Sequence, residues 1–228
     1  MTCNCDCNVF LPTEFVPLAD FYYEVEAEAP TVPQNIAERY ILEAAIELAR
    51  ETNCLTRQQA VKPQSMVADY YLEPLGGEQI ARMVSVCVDG DEYSINKQND
   101  RMTFHHWWFG SSWRFAPPFQ LIAHPAPKVD CDKCIIVTYA AMPDRTACRL
   151  DKEFSVRHHD TVVSGALSRI LKLSRGQKDP YPWTDKPQAD WYLRRFQRQK
   201  ADVKTDVALG YATGNTSTFT QHQIDAGF

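Results

Sequence analysis

The sequence predicts an α+β protein: a helical bundle of about three main helices with an inserted small antiparallel β-sheet and an extended C-terminal tail. Three observations carry this. Apolar residues recur at helical spacing from Gln34 to Thr52, the middle of the chain breaks into short strand-like runs, and helical spacing returns after Leu150.

In chain order, residues 1–8 read as a flexible N-terminal segment, and 9–61 with 151–210 as a helical lobe. Residues 62–150 read as the inserted β lobe and 211–228 as an extended C-terminal tail. The stretch "FLPTEFVPLADFYYEVEAEAP" is punctuated by proline, which predicts an extended lead-in with at most a short helix. Thr31-Val32-Pro33-Gln34 predicts a helix start, with Thr31 as N-cap, a proline in the first turn and Gln34 three residues after the cap. Ala37, Ile41, Ala45 and Leu48 follow at helical spacing beside Tyr40 and Ala44, giving one amphipathic helix that ends near Thr52.

Between Val67 and Ala141 the pattern is "VADYYLE", "IARMVSVCVDGDEYSI", "MTFHHWWF", "FQLIAH" and "CIIVTYAAM", separated by Gly, Pro, Asp and Asn. Asp89-Gly90 is a hairpin signal, and Val129 to Lys133 reads as a second hairpin tip.

Beyond Leu150, Val163, Ala166, Leu167, Ile170 and Leu171 make one apolar stripe. Ala189, Tyr192, Leu193, Phe196, Val203 and Val207 make another, on a helix that Thr184 or Asp185 caps and Pro187 opens. The far side of this last helix carries Arg194, Arg195, Arg198, Lys200 and Lys204, a face expected to be exposed or to meet a partner. The tail "GYATGNTSTFTQHQIDAGF" then scatters Tyr211, Phe219, Ile224 and Phe228 among small polar residues, a composition that cannot bury itself alone.

An apolar fraction of 44% with 23% charge is that of a folded protein, and a net charge of -5 does not suit a surface that grips nucleic acid by neutralising phosphates. The first residues lack a basic and then apolar leader, and no run is long enough to span a bilayer, so the expectation is a cytoplasmic protein without membrane contact. Its eight cysteines are then expected as free thiols.

Candidate chemistry is sparse. Cys131 and Cys134 have the spacing of a zinc knuckle, and Cys3, Cys5 and Cys7 could add thiolates. Together with the aromatic run "HHWWFGSSWRFAPPFQ", whose rings could stack on bases, they support an alternative reading, a zinc-stabilised nucleic-acid-binding module. Those rings equally suit a core or subunit seam, and Arg114 is the single basic residue among them. His105-His106 and His158-His159 could be ligands or general bases, but packing and surface roles are expected; His158 and His159 are adjacent, and on a helix their side chains diverge by about 100°, which does not favour a shared metal. Nucleophile elbows, P-loops and dinucleotide fingerprints are missing, so no catalytic residue, cofactor or metal ligand is assigned and no enzyme is expected.

The order of features resembles the head-to-tail adaptor (connector, or neck) proteins of tailed bacteriophages, the tail tubular protein A-like group of short-tailed phages. The residues that carry it run over 9–214: Phe10-Leu11-Pro12 with Pro17 and Pro30, then "AERYILEAAIELARETNC", "ADYYLEPLG" and "CIIVTYAAMP". The sharpest match is a "GAL…PW" corner: Gly165-Ala166-Leu167, Arg169-Ile170-Leu171, Gly176, Pro182-Trp183, Asp185, Ala189 and Phe196. The loop "GQKDPYPW" is longer than the family pattern and the cysteine-bearing start departs from it.

The resemblance implies a structural virion protein, without catalysis, that joins the capsid portal to the tail as a homo-oligomeric ring, commonly twelve-fold. DNA would pass through it during ejection without sequence-specific binding. It implies a portal protein above, a tail or nozzle protein below, assembly in the host cytoplasm and a final place in the virion neck. On this reading Tyr211, Phe219, Ile224 and Phe228 anchor the tail on the portal. Arg194, Arg195, Arg198 and Lys204 meet acidic groups on a neighbouring subunit or the portal. Gly165, Ala166, Pro182 and Trp183 are expected to be scaffold, two letting helices approach closely and two stiffening the turn between them.

Overall fold

A computed structural model of the chain describes residues 13–88, 91–94, 112–124, 126, 135–174 and 181–210. The helical part contains α1 (Ala19–Glu28), α2 (Gln34–Thr52), the short α3 (Lys152–Val156), α4 (His159–Ile170) and α5 (Lys186–Ala208). Strands β1 (Phe15–Pro17), β2 (Thr56–Val61), β3 (Asp69–Tyr71), β4 (Glu78–Val88), β5 (Asp91–Ser94), β6 (Ser112–Ala116), β7 (Gln120–His124), β8 (Ile135–Pro143) and β9 (Arg149–Asp151) make the rest. The α+β class predicted above is the one observed.

All strand pairs are antiparallel, in three sheets ordered β1-β9, β2-β8-β4-β5 and β3-β7-β6. β8 lies inside the four-stranded sheet and seven of its nine residues are buried, with α2 lying across it. That accounts for a run that is apolar except at Thr138. β4 and β5 end at the Val88–Asp91 pair, as the Asp89-Gly90 signal expects. β2, written TRQQAV, carries no strand signal of its own and pairs with β8 from Thr56↔Ala140 to Val61↔Ile135. The "MTFHHWWF" run and the Val129–Lys133 tip lie outside the described residues.

Two expectations at the start of the chain are corrected. The lead-in contains a ten-residue helix, α1, which buries Phe21 and Val25 one turn apart. Thr31 does not cap α2: its φ is +74°, it helps turn the chain after α1, and Pro33 holds the N-cap position with ψ 134°. α2 ends in Asn53, whose left-handed φ of 56° terminates the helix while its N–H donates to the Ala49 carbonyl at 2.9 Å.

The helices are arranged around α4. Every residue from Thr161 to Ser168 is buried, with α1, α2 and α5 packed on it. An ion-pair triad ties this lobe to the sheet: Arg57 of β2 binds Glu78 of β4 with two hydrogen bonds, 3.1 and 2.6 Å, and also pairs with Asp151 of β9. Asp151 in turn accepts from the Glu153 N–H at 2.7 Å and so caps α3.

Candidate functional site

The corner between α4 and α5 is assembled from its small residues upward. Gly165 faces both neighbours: a Cβ built there would stand 2.8 Å from Ala44 Cβ on α2 and 2.9 Å from the Phe196 ring on α5. Contacts that short exclude any side chain, so glycine sets the distance of α4 from both helices. Ala166 beside it is fully buried. Phe196 is almost fully buried, and Arg169 and Lys200 place their charges 5.5 and 5.0 Å from its ring centre.

The turn itself is held by backbone bonds. The Asp185 N–H donates to the Leu171 carbonyl at 3.0 Å, the Thr184 hydroxyl donates to the Leu173 carbonyl, and the Thr184 N–H donates to Tyr181 at 2.9 Å. Asp185 is the N-cap of α5, accepting from the Gln188 N–H at 3.0 Å. Trp183 is partly buried against the core and stacks on Tyr181 at 4.6 Å and 8°, while Pro182 is exposed. Pro180 lies outside the described residues.

The basic face of α5 divides. Lys200 does not belong to the outer face where the sequence places it. It is buried one turn after Phe196 and donates to Glu47 at 2.6 Å and Glu51 at 2.7 Å on α2. Burial would lower its pKa, but the bonds to the two carboxylates outweigh that and raise it. Arg169 of α4 also pairs with Glu47, so three helices share one ion cluster. Arg195 is half-exposed, lies 3.4 Å from Asp160 at the start of α4 and covers the Trp191 ring at 5.5 Å. Arg194, Arg198 and Lys204 are exposed.

The histidines differ from each other. His158 is buried with both ring nitrogens unbonded among the described residues, and burial pushes its pKa down to about 4, with Arg157 adding to the shift. His159 stacks flat on Phe21 at 4.7 Å and 12°, with its Nδ1 3.5 Å from Glu24. Glu24, His159 and Asp160 could each turn one ligand atom to a common point, within 4.8 Å of one another. The Arg195 guanidinium beside Asp160 and the N-terminal end of α4 both add positive charge there, which opposes a cation. The described thiols are those of Cys54, buried and raised to about 11 by that burial, and Cys148, exposed.

Sequence reasoning missed two parts of this surface. One is the Arg57 triad, whose members are 94 residues apart at the widest. The other is α1, whose charged residues Asp20, Glu24, Glu26 and Glu28 are all acidic. Its signal was the Phe21/Val25 spacing. Tyr211, Phe219, Ile224, Phe228, His105, His106 and Cys3, Cys5, Cys7, Cys131 and Cys134 fall outside the described residues.

No protein-family model matches the chain. A search of curated proteins likewise finds no match. Among solved structures, the chain is similar to one from the neck of an empty GTA particle, computed with C6 symmetry. The identity is 13% over 80% of this chain and 95% of that one, with a TM-score of 0.27. A likeness at that level shows neither shared fold detail nor shared role.

Proposed function

We propose that the chain is a structural, non-catalytic head-to-tail adaptor that forms a homo-oligomeric ring between a phage portal and its tail, with DNA passing through the ring. The observation that carries this reading is the "GAL…PW" corner. The residues that resemble the family's corner are those that fix geometry here: Gly165 sets the spacing of three helices, Ala166 is buried beside it, and Trp183 and Asp185 close the turn. A rigid wedge of this kind can repeat around an axis without a change of shape.

The surrounding chemistry agrees with a structural role. The perturbed groups of the described residues, such as Lys200, Arg57, Glu78 and His158, are occupied in or buried by packing between elements. Among the described residues no helix is long and apolar enough to cross a membrane. An acidic chain suits a channel through which DNA must slide, since each phosphate contact by Lys or Arg would add counterion-release affinity and slow it.

The test is to mix the purified chain with its portal protein and image the product by electron microscopy. The expected result is a ring seated on the portal; no ring under any condition of salt or concentration overturns the reading. The proposed portal anchors are Tyr211, Phe219, Ile224 and Phe228. A chain lacking 211–228 is expected to keep the melting profile of the full chain and lose portal docking.

A further inference from the structure

α1 and α5 meet solvent as one continuous surface, joined by the start of α4. Glu28, at the end of α1, accepts from Gln188, at the start of α5, at 3.0 Å. One turn back along α1, Glu24 lies beside Asp160 of α4, which pairs at 3.4 Å with Arg195, two turns further along α5. α1 and α5 therefore run antiparallel along a seam closed by the Asp160–Arg195 pair. Their successive turns stand level across it, Glu24 with Arg194 and Asp20 with Arg198.

The two sides of the seam carry opposite charge. α1 places Asp20 and Glu24 one turn apart and has no basic residue, whereas α5 places Arg194 and Arg198 one turn apart. Among the described residues Asp20, Arg194 and Arg198 have no ion-pair partner, because Asp160 is taken by Arg195 and Asp190 by Lys172. Each side also has an exposed ring, Tyr23 at 74% on α1 and Trp191 at 50% on α5. The Trp191 ring is held by Arg195 at 5.5 Å and Tyr192 at 4.8 Å. An ordered tryptophan beside unpaired arginines is the composition of an interface hot spot.

We infer that two copies pair face to face about a two-fold axis running along this seam, so that Arg194 and Arg198 of each copy meet Glu24 and Asp20 of the other. A surface whose adjacent halves complement each other is self-complementary, which is what an isologous contact requires. Rotation about the seam keeps level turns level, so every ion pair forms twice, and Trp191 and Tyr23 add apolar area. A two-fold contact closes at two copies, so the pair goes beyond the ring. It is the form of the free chain, in which the α5 stripe stays covered until assembly displaces the second copy.

Sedimentation velocity of the full chain, without portal, tests the contact through a charge swap. The wild-type chain is expected to form a dimer at high concentration and to lose it as salt rises. Asp20→Arg and Arg198→Asp are each expected to weaken pairing by at least about tenfold, because each brings like charges together at both contacts. Mixed 1:1, the two variants are expected to pair with each other, and the double variant Asp20→Arg/Arg198→Asp to pair with itself. Both positions are exposed, so unchanged thermal melts serve as the folding control. A wild-type chain that stays monomeric at low salt overturns the contact, as does a dimer that neither variant disturbs or that the mixture fails to restore. Rings seated on the portal by a chain that never dimerises would overturn this contact and leave the adaptor reading standing. Binding of duplex DNA by a monomeric wild-type chain, lost in Arg198→Asp, would assign the stripe to nucleic acid and likewise overturn the pair.

Discussion

Gly165 lies under the Phe196 ring with no space for a side chain, since an added Cβ would fall 2.9 Å from the ring and 2.8 Å from Ala44. Gly165→Ala is therefore expected to destabilise the protein even though alanine is the better helix former by about 1 kcal/mol. Overpacking costs about 1–3 kcal/mol, so a net loss is expected in a urea melt. Adding Ala44→Gly relieves one of the two contacts and should return part of the loss; a melt of Gly165→Ala at or above wild type would refute the close approach.

Lys200 joins α5 to Glu47 and Glu51, and Lys200→Met leaves two carboxylates facing one another with Arg169 reaching Glu47 alone. Both carboxylates are partly exposed, which discounts the full buried-pair penalty, and a loss of about 1–3 kcal/mol at neutral pH is expected. Because the folded pKa of Lys200 is raised above 10.5, its contribution is complete below that pH and disappears as pH climbs through the folded value. Denaturant melts of wild type should weaken on that alkaline side, and Lys200→Met should lack this part of the slope.

His158 is buried neutral, with a pKa lowered to about 4 from 6.5. The unfolded chain binds a proton there first as pH falls, so this contribution is complete above 6.5 and is lost on the way down to about 4. His158→Leu should flatten the acid limb of the stability curve by at most about 1.4 kcal/mol per pH unit in that window. An unchanged acid limb would show that His158 titrates normally.

Asp185 caps α5 through the Gln188 N–H, beside the bond from its own N–H to Leu171. Asp185→Ala is expected to cost about 1 kcal/mol, and Asp185→Asn much less, because the amide oxygen can accept the same bond. Equal losses for the two, measured by thermal unfolding, would place the effect outside the cap.

The parts legible in the sequence share one property: they are decided locally. The stripes of α2, α4 and α5, the Asp185 and Pro187 start of α5, and the small residues at 165 and 166 each announce themselves within one or two turns. β2 was not legible because an edge strand of mostly polar residues gains its conformation from β8, some 80 residues away. Thr31 misled because a capping signature and a tight turn use the same residues, and the helix before it decided which was realised. Lys200 misled because lysine reads as surface. Its place four residues after Phe196 put it on the buried stripe, and the carboxylates that make this tolerable come from another helix.

A helix enclosed on every side has no second rotational setting. Turning α4 about its own axis by even one residue's worth would carry Thr161, Ser164 or Ser168 into apolar contacts and bring a side chain to the place Gly165 leaves empty. α1, α2 and α5 all pack on that one axle, so their positions relative to one another are set through it. The lobe therefore meets the sheet as one body, through α2 on β8 and through the point where Arg57, Glu78 and Asp151 join.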